Sequence, residues 1–335
     1  MDRLIEPERR IELVKEVREA AVRLREVGEE EEVLDTTDDS VRSPVRTDVD
    51  VPEPPFWGVR EIEVDRDELY THLDTHVLFK LHWGGRGVKG EEWRKLLEED
   101  FRPRLERMWA DADYLHPRAL LGYFPCYSEG NDIVVLDPSD RETVLTRFTC
   151  PRQPKGDRLC LADFYRPKES GELDVVALQS VTVGAEVTEL MARLEQEGEF
   201  AEQLFVHGLG GLDAEGLAEW LHWRVRNDLG IDATQGRRYS WGYPAVPDQS
   251  EHLKVETLLN IAQIGMEISD GYAPIPEQST LALIAHHYQA GYYGMRNGRL
   301  LPDGSPDDVI RGTPRDPSRF GDPEALEETP AGAVG

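Results

Sequence analysis

Cysteine is scarce in this chain: there are three, Cys126, Cys150 and Cys160, and no two of them stand in a CxxC spacing. An odd, widely spaced set argues against a disulfide framework or a cysteine-built zinc site and leaves packed, reduced thiols as the expectation. Long apolar runs are missing too. No stretch approaches the roughly 20 apolar residues that cross a bilayer, and Met1-Asp2-Arg3 leads straight into charged sequence without an apolar signal region. The expected setting is the cytoplasm, away from the membrane. Positive charge is the third shortage: 38 basic residues stand against 66 acidic ones, a formal net charge of −28. So negative a surface repels phosphate backbones, which excludes general nucleic-acid binding. Internal repeats are absent, as is the Gly-rich first turn of a Rossmann methyltransferase. Gly208-Leu209-Gly210-Gly211 lacks the βαβ setting and acidic partner of a nucleotide loop, and is expected to be a loop-to-helix junction.

What is present describes a globular chain of 335 residues, 39% apolar and 31% charged, long enough for a sizeable core. Pro7 to Val27 is an amphipathic helix pattern, with Leu13, Val17, Ala20 and Leu24 between charges and Gly28 as its stop. These are the first 28 residues. An acidic and Pro-rich stretch, residues 29–55, follows as an expected linker, which starts the main domain near Phe56. Within it, Val59 to Val64, Asp132 to Leu136 and Asp174 to Val183 suit strands, and Glu92 to Trp109 has helical spacing. A helix is predicted over Leu212 to Leu229, capped by Asp213 and ended by Gly230. Another is predicted over Asp248 to Ile264, with Val255, Leu258, Leu259 and Ala262 inward and Gly265 as stop. Strands and helices come in mixed order, which makes the class α+β. Residues 301–335, rich in Pro, Asp, Glu and Gly, are expected to be a disordered tail.

The segment richest in chemistry runs from Arg237 to Pro247, Arg-Arg-Tyr-Ser-Trp-Gly-Tyr-Pro-Ala-Val-Pro. Arg238 offers a fork of donors that suits a carboxylate. Gly242 permits close backbone approach, Pro244 and Pro247 stiffen the exit, and Tyr239, Trp241 and Tyr243 bring flat apolar surface with polar edges. Taken alone it is equally an aromatic turn into the next helix. His72 and His76, four apart, are better explained by a helix face than by a metal, and His286-His287 by local packing.

This segment resembles the RxxxGYPAxP signature of the activation domain of cobalamin-dependent methionine synthase, and other stretches are similar to that family in the same order. They are His72-Leu73-Asp74-Thr75-His76, Tyr123-Phe124-Pro125 with Asp132 to Val135, and Leu159-Cys160-Leu161-Ala162-Asp163-Phe164. Val181 to Gly184, Leu217 to Leu229 and Ser269 to Tyr293 complete the set. The resemblance runs from about residue 66 to about residue 296. It implies a C-shaped α+β domain, an antiparallel sheet with surrounding helices over residues 56–300, that binds S-adenosylmethionine in a groove. Asp74 would hold the ligand's amino group and Arg238 its carboxylate. Backbone at Ser240 and Gly242 would meet the amino acid or adenosine, Tyr243 would line the groove towards the corrin, and Tyr292 and Tyr293 would border the adenosine.

The implied function is reductive methylation of oxidised cobalamin carried by a methionine synthase module, with a flavodoxin, ferredoxin or reductase supplying the electron. No nucleophile is demanded of this chain, because the reduced cobalt is the nucleophile and the protein supplies positioning. Three departures stand out: Val246 where the family often has Cys, Ser240 and Trp241 where it has small residues, and Glu277 to Leu281 in place of a small-residue run. The homocysteine, folate and cobalamin modules are absent, so a separate reactivation subunit is expected, and Met1 favours a free-standing chain. The alternative is a module that senses S-adenosylmethionine or docks corrinoid proteins without methyl transfer. A self-sufficient small-molecule methyltransferase is disfavoured by the missing Rossmann turn.

Overall fold

Near-continuous apolar runs in the middle of the chain, buried on both faces, dictate a sheet with cover on either side. A computed structural model describes residues 42–110 and 113–294, all within a unit that begins at Arg42. The helix expected over Pro7 to Val27, the first part of the linker and the expected tail lie outside the described residues. In chain order the elements are β1 (Gly58–Ile62), α1 (Arg66–Thr71), and α2 (Thr75–Val77), which widens into a π-turn over Leu78–His82. The helix α3 follows as Gly90–Leu96, Leu97–Phe101 and Arg102–Ala110 without a break. Then come β2 (Arg118–Glu129), β3 (Asp132–Leu136), β4 (Val144–Thr149), β5 (Asp174–Thr182), α4 (Glu186–Glu197) and α5 (Phe200–Asp228). The last elements are β6 (Arg237–Ser240), α6 (His252–Leu259), the short pair β7 (Glu267–Ile268) and β8 (Pro274–Ile275), and β9 (Ser279–Ala285).

The main sheet is antiparallel throughout, in the order β4-β3-β2-β5-β9-β6. β1 shares an edge of β2 with β3: Gly58 to Ile62 pair with the first half of β2, and β3 takes the second. β5 is buried along its whole length. Its Val175, Ala177 and Val181 face a cluster with Leu217, Leu221 and Val225 of α5, whereas Val176 and Leu178 face Val255 and Leu259 of α6 on the other side. Each such side chain contributes about 1.5–3 kcal/mol relative to exposure. A third cluster, with Phe79, Trp83, Trp93 and Phe101, joins α2 and α3 to the first turns of α5. The three cysteines are buried in the α6-side cluster. This is the expected α+β arrangement of antiparallel sheet and helices.

Three local expectations are corrected. α5 starts at Phe200, not Leu212, so Gly208 to Gly211 lie inside a helix and Asp213 is a buried mid-helix residue rather than a cap. Close packing explains two of the glycines: a Cβ on Gly208 would stand 2.8 Å from the His82 Cβ, and one on Gly210 2.8 Å from a Val187 methyl. The helix predicted over Asp248 to Ile264 is broken at Asn260, which adopts φ of 53°. That break turns Ile261 and Ile264 inward and leaves Ala262 exposed, while Gly265 ends the run as expected. Residues 42–55, read as the end of a linker, are bound to the domain. Val45 is in the core, and Arg166 donates to the carbonyls of Thr47 and Val49.

Candidate functional site

The edge strand β6 carries the signature. Its register places Arg238 opposite Ile284 and Tyr239 opposite Leu283. Ile284 belongs to the cluster under α5 and Leu283 to the one under α6. Successive side chains of a strand point to opposite faces, so Arg238 faces α5 and Tyr239 enters the other core. Ser240, half-buried, closes the strand opposite Ala282. Trp241 is buried against Phe148 and His252, with ring centroids 5.4 and 5.7 Å away. The chain then turns sharply. The Gly242 N–H donates to the Val246 carbonyl and the Val246 N–H to the Tyr243 carbonyl, both at 2.9 Å. Gly242 has φ of 95°, and a Cβ there would come within 2.8 Å of the Gln249 Nε2. The turn raises Tyr243 to 67% exposure while Ala245 and Val246 stay in the core. Two departures from the family pattern, Trp241 and Val246, are therefore core residues. The third, Glu277 to Leu281, leads into β9, and just before that strand the Gln278 carbonyl accepts from the Val183 N–H.

Arg238 meets a cluster on α5 that sequence reasoning missed. Glu219, His222 and Arg226 lie three and four residues apart, one stripe of a helix. The Glu219 carboxylate stands 3.8 Å from the Arg226 guanidinium and 3.9 Å from the His222 ring. Burial holds His222 well below the usual histidine range, and Arg226, Arg238 and Arg237 add to the effect. Arg226 is bound through Nε to the Gln235 carbonyl at 2.8 Å, and Arg237 donates to the carbonyls of Thr234 and Gly236, both at 2.7 Å. The Arg238 Nε is different: it is buried and has no hydrogen-bond partner. A buried guanidinium donor left unmet costs free energy until an acceptor arrives. In a protein of net charge −28, three guanidinium groups gather here around Glu219, with Asp232 acting on Arg226 from farther off, an arrangement suited to a carboxylate ligand.

The tyrosine pair separates. Tyr292 is 40% exposed and meets Tyr239 edge-on at 5.9 Å. Burial raises its hydroxyl's pKa, with Arg238 opposing. Tyr293 is buried in the core with Cys160 and Trp241, so of the two rings expected to border a ligand it is Tyr292 that is open to solvent. Alternate residues of the extended segment simply face apart. Asp74 caps α2, accepting from the Val77 N–H at 3.0 Å. Its neighbours lie against α5: a Cβ on Gly216 would be 3.2 Å from Leu73, and the His72 ring is 5.9 Å from that of Trp223. Gly216 precedes His222 by six residues, a rise of about 9 Å, so α5 is the element that links the Asp74 segment to the Arg238 cluster.

The family model for the vitamin B12 dependent methionine synthase activation domain matches residues 85–299. The chain belongs to that family. Arg238, the turn and Tyr292 lie within the matched span, whereas Asp74 precedes it. The activation domain is 37% identical over 286 residues to the methionine synthase of Mycobacterium tuberculosis, and 37% identical over 287 residues to that of Mycobacterium leprae. Each alignment covers 76% of this chain but only 24% of the relative, so the chain spans about a quarter of their length. It also superposes on the crystal structure of a MetH reactivation domain bound to AdoHcy, with a TM-score of 0.61 and 26% identity. That match covers 78% of this chain and 86% of the other.

Proposed function

We propose that this activation domain binds S-adenosylmethionine at the Arg238 cluster and supports reductive methylation of cob(II)alamin held by a separate methionine synthase module. The observation that carries the reading is the buried Arg238 Nε without an acceptor, set among the guanidiniums of α5 and β6. A zwitterionic amino acid brings one carboxylate and one ammonium. Arg238 receives the carboxylate, and Asp74, across α5, receives the ammonium. Backbone groups of Ser240 and Gly242 hold the body of the ligand, the Tyr292 ring lies against the adenosine, and Tyr243, the most exposed aromatic of the turn, faces the corrin.

Cobalamin, when brought by the partner, would supply a reduced cobalt as nucleophile for the sulfonium methyl, with S-adenosylhomocysteine as the leaving group of the methyl donor. This chain contributes orientation, which aligns methyl and metal. The electron comes from a flavodoxin, a ferredoxin or a reductase. We place the protein in the cytoplasm as a separate subunit; among the described residues no helix is long and apolar enough to cross a membrane. Calorimetric titration with S-adenosylmethionine is the test, with about one ligand per chain expected. No heat from folded protein would refute the reading. Binding without any conversion of cob(II)alamin to methylcobalamin on a cognate partner, followed in the visible spectrum, would favour a sensor instead.

A further inference from the structure

Residues 42–49 form an irregular strap held to the domain's own loops at both ends, while Arg46 and Asp48 pair with each other at the surface. At one end the Asp163 carboxylate, paired with Arg152, accepts the N–H and the hydroxyl of Ser43 at 2.9 and 2.6 Å. Arg42 donates to the carbonyls of Asp163 and Tyr165. At the other end the strap meets the loop that carries Tyr292. The Arg46 N–H donates to the Gln289 side-chain oxygen at 2.8 Å, and the His287 Nε2 lies 3.0 Å from the Arg46 carbonyl. The Gln289 N–H donates to the His287 Nδ1 at 3.0 Å, which leaves the proton on Nε2 and makes that nitrogen the donor to Arg46. Both side chains are buried.

From Gln289 the chain needs three residues to reach Tyr292. On the way the Gly291 carbonyl accepts from the Tyr239 hydroxyl at 2.8 Å, and beyond it the Gly294 carbonyl accepts from Gln153. Tyr292 thus sits in a short loop held by the strap before it, by β6 beside it and by Gln153 after it. We propose that His287 and Gln289 are positioning residues that couple the strap to Tyr292. Ligand against Tyr292 then tightens the strap, and release of the strap weakens the ligand by the same factor, because coupling between two sites is reciprocal. This rests on the reading of the site as an S-adenosylmethionine groove.

The strap contains its own reporter. The Arg46 side chain is exposed, and trypsin can cut after it only when the strap lifts from His287 and Gln289. The full chain is digested with and without saturating S-adenosylmethionine while affinity is measured by calorimetry, for the wild type, Gln289→Ala and His287→Phe; the last keeps a ring against Phe164. Ligand should slow cleavage after Arg46 in the wild type, and both variants should bind about tenfold more weakly with that protection largely lost. A role confined to stability would lower the melting temperature without tying cleavage at Arg46 to ligand.

Tight binding with no change in cleavage after Arg46 in the wild type overturns the coupling, as does wild-type affinity in a folded variant. If the wild type takes up no ligand, the groove reading fails by itself, and amide exchange at residues 290–293 decides the clamp: rates unchanged by Gln289→Ala overturn it. Should His287→Phe not fold, Gln289→Ala and the wild-type digestion carry the test.

Discussion

Tyr292 and Tyr293 are neighbours in the chain with opposite surroundings: the first is 40% exposed beside Arg238, the second 6% exposed in the core. Their substitutions should therefore fail in different assays. Tyr292→Ala is expected to leave the melting temperature nearly unchanged and to weaken S-adenosylmethionine by about 1–3 kcal/mol, the worth of a base stacked on an aromatic ring. Tyr293→Ala should cost about 3–5 kcal/mol of stability through the cavity it leaves. Tyr293→Phe should be close to neutral, since its buried hydroxyl has no partner to lose. Thermal melts and calorimetry on the three variants check this.

Arg237 and Arg238 make the second contrast. Arg237 already serves two backbone carbonyls, whereas the Arg238 Nε has no partner. Arg238→Ala is expected to cost binding about 1.5–3 kcal/mol, on the order of 10- to 150-fold. Arg237→Ala should cost binding little. Equal, small losses in the two titrations would remove Arg238 from the site.

Much of this was legible in the sequence, and the limits are physical. The turn from Ser240 to Pro247 announces itself because Gly and Pro fix backbone angles locally. Strands β3 and β5 announce themselves through β-branched residues. The start of α5 was hidden, because Gly208 to Gly211 read as a junction when considered locally, and only tertiary contact with His82 and Trp83 at Gly208, and with Val187 at Gly210, makes small residues useful there. The segment from Arg42 to Pro55, which includes the strap, has linker composition, yet its polar atoms find Asp163, Arg166 and Gln289 from more than 100 residues away. Glu219, His222 and Arg226 did leave a trace, as polar residues at helical spacing in an otherwise apolar stripe. Which of two adjacent tyrosines is buried leaves no periodic signature at all.

Asp213 should set part of the pH dependence of stability. Fully buried on α5, its carboxyl is pushed up from 3.8 to about 7 by desolvation, with Arg66 opposing. The native state thus holds a proton that the unfolded chain releases at lower pH. The stability it confers is complete below about pH 4 and is lost as pH rises through about 7. The slope within that window approaches about 1.4 kcal/mol per pH unit. Urea midpoints of the wild type should fall across that window, and Asp213→Asn should flatten the fall. Parallel profiles for the two proteins would contradict the assignment.

Gly242→Ala tests the turn. The new Cβ meets Gln249 and the backbone must keep φ of 95°, so a loss of about 1–3 kcal/mol is expected. Adding Gln249→Ala removes the contact but not the strained dihedral. The double variant should regain only part of the stability in chemical denaturation, and full recovery would mean the dihedral is unstrained.

The order of the sheet has a consequence for biosynthesis. β9, made last of the strands, lies between β5 and β6 and gives Arg238 its place in the register. Until Ser279 to Ala285 have left the ribosome, β6 has no neighbour and the α5 stripe has no arginine to face. The nascent chain must meanwhile keep the half-finished edge of β5 from pairing elsewhere. On the proposed site, ligand competence would therefore arrive late and all at once, and a stalled or prematurely released chain would carry nearly every residue of that site without the register that assembles it.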